Sequence, residues 1–149
     1  MGKIRYTLKM KSVFLDSSVL FSAVNSPTGG SAKLFTFKNI QLAASPVVLA
    51  ETERNVRKKL PKYHLERFFL LVEKLAIISQ IPCQKLIKKT EKIIVKKDAV
   101  ILAEAKQAKT DSLVTFDIKH FFTEPVANFL KPKKVYTPKL LIELFETKF

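Results

Sequence analysis

Four acidic residues stand where regular segments of this chain end or begin, so their carboxylates could meet. Asp16 ends the apolar run "SVFLD" (12–16), and Asp117 follows the apolar run "SLVTF". The other two belong to helical segments: Glu51 lies in "SPVVLAETERNV", and Asp98 begins "DAVILAEAKQAK". Carboxylate oxygens are the ligands that Mg²⁺ and Mn²⁺ prefer. A divalent metal site is therefore one interpretation of these residues, provided that the fold brings them together.

Each of these acids also has an ordinary structural interpretation. Asp16 and Asp98 could cap a helix or interact with its dipole. Glu51 could be solvated on a helix surface, and Asp117 could belong to a turn. Gathering several carboxylates is costly through repulsion and desolvation, and a divalent cation would reverse that cost. Spacing alone leaves the metal site and the structural roles about equally favoured.

Short apolar strands alternate with helical segments along the chain, and this alternation predicts the fold class. Strands are predicted at 12–16, 40–45, 76–81, 112–115 and 134–136. Helices are predicted to start at 17, and over 31–39, 46–60, 63–75, 98–109 and from 138 onward. The pattern is typical of an α/β fold in three layers, α/β/α, with a central parallel sheet of four to five short strands. Ligands bind beyond the carboxyl ends of such strands, so the four acids are expected at one edge of the sheet.

Local signals mark several helix boundaries. Ser45 followed by Pro46, and Thr137 followed by Pro138, are typical of a capped helix with proline at its first position. Ser31 is predicted to cap the helix over 31–39. The helix over 63–75 is predicted to bury one apolar stripe, made of Leu65, Phe68, Phe69, Val72 and Leu75.

Composition limits the classes of protein that this chain can be. Its 149 residues carry 27 Lys and Arg against 13 Asp and Glu, a net charge of +14. Such a charge indicates a polyanionic partner such as nucleic acid, although thermal adaptation also enriches surface lysines. With one cysteine and two histidines, a zinc site of thiolates and imidazoles is not expected.

The predicted domain organisation is simple. Residues 1–10 are predicted to be a basic N-terminal extension, and residues 11–149 a single domain. No apolar stretch is long enough for a membrane span, and the N-terminus lacks the apolar region of a signal peptide. Together with the lone cysteine, which cannot form an internal disulfide, these features favour a cytoplasmic protein.

Four blocks of the sequence resemble the PIN domain family, the fold of VapC-type toxin ribonucleases and other metal-dependent RNA-cleaving nucleases. "VFLDSSVLFSA" is similar to the family's opening strand, acidic residue and small polar residue. "LAASPVVLAETERNV" resembles its second strand and the helix that bears its glutamate, and "KKVYTPKLLIELF" resembles its closing strand and helix. "KKDAVILAEAKQAKTDSLVTFDIKHF" matches over the most positions in order.

The resemblance assigns roles to residues of this chain. It implies an acidic site made of Asp16, Glu51, Asp98 and Asp117, with Asp117 the least secure as a direct metal ligand. It implies that Ser18 and Thr115 are polar helpers that hold a carboxylate or a metal-bound water. Glu53 competes with Glu51, but two residues turn about 200° around a helix, so only one of the two can face the site.

The activity that the resemblance implies is metal-dependent hydrolysis of RNA phosphodiester bonds. Mg²⁺ or Mn²⁺ held by the carboxylates would activate a water and stabilise the developing charge, leaving a 5′-phosphate and a 3′-hydroxyl. Basic residues near the acids are expected to hold the RNA backbone: Arg54, Lys58, Lys119 and His120. A solvated basic face is the competing interpretation of these four residues.

Two other functions and two protein partners stay open at this point. The alternatives are a non-catalytic RNA-binding or assembly module on the same fold, and a DNA nuclease, since nothing in the sequence indicates recognition of a 2′-hydroxyl. If the protein is a toxin, a small antitoxin protein encoded nearby should block its groove. The family resemblance also allows a homodimer, for which the helices at 63–75 or around 118–130 could supply the surface.

Overall fold

A computed structural model describes residues 10–146 of the chain. Its strands are β1 (Lys11–Leu15), β2 (Ile40–Ala44), β3 (Ala76–Ile77), β4 (Ser112–Val114) and β5 (Lys134–Tyr136). Its helices are α1 (Ser17–Asn25), α2 (Gly30–Leu34), α3 (Pro46–Lys59), α4 (His64–Val72), α5 (Gln84–Glu91), α6 (Lys96–Gln107), α7 (Ile118–Phe121), α8 (Glu124–Leu130) and α9 (Pro138–Glu146).

The five strands form one sheet in the order β3-β2-β1-β4-β5, and every neighbouring pair is parallel. The predicted α/β class, with a central parallel sheet of four to five short strands, is confirmed. Because all strands run the same way, their carboxyl ends meet at one edge, where the residues that follow them face a common space.

The first strand, β1, is the centre of this sheet. Its last three residues, Val13, Phe14 and Leu15, are at most 1% exposed. A continuous apolar run of this kind suits a strand that is covered by helices on both faces. Asp111 fixes the start of the neighbouring strand β4, because its carboxylate accepts a hydrogen bond of 2.8 Å from the backbone N–H of Ser12.

Two helices begin as the sequence predicts. Ser45 caps α3 by accepting a hydrogen bond from the backbone N–H of Val48, and Pro46 is its first residue. Thr137 accepts the corresponding bond from the backbone N–H of Leu140 at the start of α9. Both of these pairs start a helix, whereas Ser26 and Pro27 lie in a turn.

One helix and one strand are shorter than predicted. Helix α2 starts after Gly29 and ends at Leu34, since the Thr36 hydroxyl and backbone N–H both bond to the carbonyl of Lys33 and close the turn. Ser31 therefore does not cap this helix. Strand β3 keeps only two residues at the edge of the sheet.

The predicted stripe of α4 was wrong at one residue. Phe68 is 2% exposed and Leu71 is 4% exposed, while Phe69 is 47% exposed. Positions 68, 71 and 75 follow the helical period, and Phe69 stands about 100° away from Phe68 around the axis. Leu65 and Val72 are partly buried against the core.

The predicted basic extension, residues 1–10, lies outside the described residues except for Met10, so the division at residue 11 stays a prediction. Within residues 10–146, none of the helices has the length and apolar character that crossing a membrane requires.

Candidate active site

Asp16 is the most firmly held of the predicted acids. It follows β1 directly and caps α1, with Oδ1 accepting a 2.7 Å hydrogen bond from the backbone N–H of Ser17. Oδ2 accepts hydrogen bonds from the hydroxyls of Thr115 (2.7 Å) and Ser18 (3.1 Å). The residue is 8% exposed. Helix capping and a place in the site are therefore compatible for this residue, because its two oxygens face different groups.

Burial raises the pKa of the Asp16 carboxyl above its ordinary value, and the hydrogen bonds from the two hydroxyls and the backbone offset only part of that rise. The negative charge of Glu51 raises the pKa further. The ionised form of Asp16 is therefore held in this position at an electrostatic cost, and a nearby cation would reduce that cost.

Glu51 lies on α3 and is connected to Asp16 through Ser17. Its Oε1 accepts a 2.7 Å hydrogen bond from the hydroxyl of Ser17, the residue next to Asp16. Glu53 faces elsewhere and forms an ion pair of 2.9 Å with Arg57 on the same helix. The structure thus places Glu51, and not its competitor Glu53, beside Asp16.

Asp98 lies in the first turn of α6, three residues after the helix cap Val95. Its Oδ2 is buried and has no hydrogen-bond donor among the described residues. Burial raises the pKa of the Asp98 carboxyl, and the charges of Asp117 and Asp16 raise it further. A divalent cation would provide a partner for this carboxylate oxygen, which lies beside other carboxylates and lacks a hydrogen-bond donor.

Asp117 follows β4 and caps the short helix α7. Its Oδ1 accepts a 3.1 Å hydrogen bond from the backbone N–H of His120, and its Oδ2 lies 2.8 Å from Nδ1 of the same residue. Burial would raise the pKa of Asp117, but the bonds and charge of His120 outweigh it and lower the pKa. Relative to the ordinary value of an aspartate, the pKa of Asp117 is therefore lowered and the pKa of Asp98 is raised.

The four acids form two neighbouring groups. One group is Asp16 with Glu51, bridged by Ser17, and the other is Asp98 with Asp117 and His120, whose ligand atoms all lie within 4.8 Å of one another. The Thr115 hydroxyl joins the groups: it donates to Asp16 and accepts a 3.0 Å bond from the backbone N–H of Asp117.

The predicted polar helpers lie between the acids, and the basic residues lie around them. Ser18 donates to Asp16 and accepts a 3.2 Å bond from the backbone N–H of Phe116, which ties α1 to the residues after β4. Arg54, Lys58 and Lys119 are exposed. The roles predicted for these residues stay predictions, but their positions allow them.

Sequence reasoning missed two residues of this site. Ser17 was passed over because Ser18 carries the resemblance, although Ser17 is the side chain that reaches Glu51. Lys97 was not singled out, yet its positive charge opposes the rise in the pKa of Asp98 and contributes to the lowered pKa of Asp117. The sequence did offer one signal for Lys97: it directly precedes Asp98, in a chain with few acidic residues.

Comparisons with known proteins agree with this architecture. The family model described as "PIN domain" matches residues 13–124. Comparison with curated proteins finds no match to the chain.

Solved structures of similar fold include three proteins from two bacteria and an archaeon. VapBC2 from Rickettsia felis, bound to a DNA fragment from its promoter, has a TM-score of 0.63 at 21% identity, over 83% of this chain and 96% of that one. PAE2754 from Pyrobaculum aerophilum has a TM-score of 0.59 at 14% identity, over 91% and 90%. VapBC-1 from nontypeable Haemophilus influenzae has a TM-score of 0.57 at 16% identity, over 86% and 98%.

Proposed function

The chain belongs to the PIN domain family, and we propose that it is a metal-dependent ribonuclease that hydrolyses RNA phosphodiester bonds. One observation carries the proposal: Asp98, at the start of α6, and Asp117 and His120, at the start of α7 beyond β4, bring ligand atoms within 4.8 Å of one another at the carboxyl edge of the sheet. Oδ2 of Asp98, buried and without a hydrogen-bond partner among residues 10–146, makes this cluster suitable for a cation.

The residues of the chain divide the work of holding that cation. Asp98 and Asp117 are proposed as its direct carboxylate ligands, while Asp16 and Glu51, across the Thr115 and Ser17 hydroxyls, shape the adjoining negative pocket. A bound Mg²⁺ or Mn²⁺ would supply the chemistry that lowers the pKa of water and neutralises charge developing on the scissile phosphate. The acids keep such an ion at the strand ends, where the substrate can reach it.

Substrate binding is proposed for the basic side chains around the acids. Arg54 and Lys58 lie three and seven residues after Glu51, so they share its side of α3 and are exposed. Lys119 follows Asp117 on α7. These cations could hold phosphates on both sides of the scissile bond, in keeping with the net charge of +14.

The test is cleavage of mixed RNA and DNA substrates with Mn²⁺ or Mg²⁺, each repeated with EDTA. We expect RNA cleavage that requires the metal and falls at least about a hundredfold in Asp98→Asn, which keeps the shape of the side chain and removes its charge. Glu51→Gln should also lose activity. Glu53→Gln is the matched control on the same helix and should keep it, because Glu53 pairs with Arg57 instead.

Other outcomes would select another function. Cleavage of DNA alone would favour the DNA nuclease. Retained RNA binding with no cleavage of any substrate and no Mn²⁺ binding would favour the non-catalytic module. Either result would contradict the ribonuclease proposal.

A toxin–antitoxin role is a second proposal, because two of the similar structures are VapBC proteins. An antitoxin would cover the acids, which are flanked by exposed apolar side chains suited to a protein partner: Val47, Val95, Phe116 and Ile118. A small protein encoded beside this chain should then bind it and suppress cleavage in the assay above. A chain without such a neighbour would instead fit a stand-alone RNA-processing enzyme.

A further inference from the structure

Helix α7 holds His120 next to Asp98 and Asp117, the two proposed carboxylate ligands. The backbone N–H of His120 bonds to Asp117, the cap of α7, and this contact fixes where its ring can lie. Nδ1 is then 2.8 Å from Asp117 Oδ2 and 3.7 Å from Asp98 Oδ2. The side chain of His120 is 24% exposed, so most of its ring is shielded from solvent.

The three atoms are spaced as ligands of one ion would be. In an octahedral shell with metal–ligand bonds of about 2.1 Å, neighbouring ligand atoms are roughly 3 Å apart. The distances from Nδ1 to the two carboxylate oxygens bracket that value. The three residues can each offer one ligand atom such that all three atoms lie within 4.8 Å of one another. An ion could enter this triangle with small side-chain movements.

The hydrogen bonding of these atoms gives a second reason to place an ion between them. Asp98 Oδ2 is buried and lacks a hydrogen-bond donor in the described residues, and Nδ1 of His120 is 3.7 Å away, too far for a hydrogen bond. If His120 served only to neutralise the acids, its ring would satisfy one carboxylate and leave the other orphaned. An ion between the three atoms would satisfy all of them.

We propose that His120 is a ligand of the metal ion, and that this nitrogen makes the site prefer a first-row transition ion such as Mn²⁺ over Mg²⁺. The inference rests on the proposed function, whose metal it describes, and it replaces the RNA-backbone contact predicted for His120 from the sequence. As a ligand, Nδ1 would be the unprotonated nitrogen of the ring and would direct its lone pair to the ion. Both ions favour oxygen ligands, but a nitrogen ligand costs Mg²⁺ more than it costs a first-row transition ion such as Mn²⁺.

The chain offers a matched control, because it has only two histidines. His64 begins α4, where Nδ1 lies 3.3 Å from the carbonyl oxygen of Pro61 and the ring contacts Tyr63. None of these residues belongs to the acidic site. His64→Ala therefore removes an imidazole from the same protein without touching the proposed ligand set.

The experiment is electron spin-echo spectroscopy of Mn²⁺ bound to the full chain, which detects coupling to a directly bound ¹⁴N nucleus and needs no catalysis. We expect ¹⁴N coupling in the wild type and in His64→Ala, and its loss in His120→Ala. In titrations followed by the Mn²⁺ resonance, His120→Ala should bind Mn²⁺ at least about tenfold more weakly. The excess of Mg²⁺ needed to displace Mn²⁺ should fall in that variant.

The outcomes separate this inference from the function on which it rests. Mn²⁺ that binds the wild type without nitrogen coupling would overturn the role of His120 and leave the ribonuclease proposal standing. Coupling that persists in His120→Ala would also overturn it, since the nitrogen would come from elsewhere. Wild-type protein that binds no Mn²⁺ would defeat both proposals. Because the decisive signal is read in the wild type, a poorly folding variant cannot obscure the result.

Discussion

Thr115 shows how a single hydroxyl can organise a cluster of acids. It is fully buried, donates to Asp16 at 2.7 Å and accepts from the backbone N–H of Asp117 at 3.0 Å. A hydroxyl is one of the few groups that can donate and accept at once, so it can couple a carboxylate to the start of the next helix. The geometry between the two groups of acids therefore depends on this residue.

Replacing Thr115 with valine keeps the shape of the side chain and removes the hydroxyl. Because a hydrogen bond to a charged group contributes about 1.5–3 kcal/mol, we expect Thr115→Val to lower the free energy of unfolding by that amount. Metal-dependent RNA cleavage should fall at least about tenfold, since Asp16 would lose its shortest side-chain contact. Urea unfolding and the cleavage assay measure the two effects.

Thr52→Val is the matched control for that substitution. Thr52 is also fully buried, but its hydroxyl bonds to the carbonyl of Val48 within α3 and touches no carboxylate. It should cost about 1 kcal/mol or less and leave cleavage unchanged. Equal losses of stability and activity in both variants would contradict a special role for Thr115.

The candidate acids could be found from the sequence, but their contacts could not. Asp16 and Asp117 follow strands, and the edge to which they belong is a consequence of a parallel sheet. Whether Ser17 or Ser18 reaches Glu51 depends on the rotation of α1 and the distance to α3, which no local pattern encodes. The position of His120 depends in the same way on the cap of a single-turn helix.

At the scale of elements, the two helices that carry Glu51 and Asp98 are joined by a buried hydrogen bond. Ser45, the cap of α3, donates a 2.6 Å hydrogen bond to Oε1 of Glu104 on α6. Glu104 is 4% exposed, and burial raises its pKa above the ordinary 4.5, while the bond from Ser45 offsets only part of the rise. The junction therefore holds a carboxyl that is costly to ionise.

The cost of this junction should depend on pH with a defined sign. A carboxyl whose pKa is raised in the folded state is harder to ionise there than in the unfolded chain, so wild-type stability falls as pH rises from about 4.5 through the raised pKa. Glu104→Gln retains an acceptor for Ser45 and cannot ionise. We expect its stability relative to wild type to increase across that range and then to level off.

Unfolding of Glu104→Gln and wild type by urea, measured at pH values between 4 and 8, tests this expectation. Thr123→Ala is a useful comparison, because Thr123 caps α8 through the backbone N–H of Val126 and touches no buried acid. It should lower stability by about 1 kcal/mol at every pH. A constant difference between Glu104→Gln and wild type would show that Glu104 does not titrate abnormally.

The elements themselves were predictable to the degree that local signals decide them. Strand β1 and helices α3 and α9 were found because a continuous apolar run, or a cap followed by proline, marks them. The shortening of α2 at Leu34 depends on a turn closed by Thr36, and β3 owes its two residues to pairing with one neighbour at the sheet edge. The turn at Thr36 is a local contact that the helical pattern did not reveal, whereas the pairing of β3 is a tertiary contact that overrides the local pattern.

At the scale of the whole molecule, the distribution of charge favours a polyanionic substrate. Acidic residues are scarce, at 13 against 27 basic ones, yet four of them meet at one edge of the sheet. The remaining surface is strongly basic, so its field attracts phosphates while the acids are left to bind cations. A nuclease of this design should hold RNA mainly through its backbone, and its affinity should then depend on salt.

The salt dependence of RNA affinity should identify the cations that touch phosphates. For single strands, the slope of log affinity against log salt is about 0.7 per phosphate neutralised, because each contact releases a counterion. In an Asp98→Asn background that prevents cleavage, Arg54→Ala and Lys58→Ala should each reduce the slope by about 0.7. Lys33→Ala should not, since Lys33 pairs with Glu146 at 2.6 Å. Fluorescence anisotropy of a labelled RNA gives the slopes, and equal slopes in all variants would place the RNA away from α3.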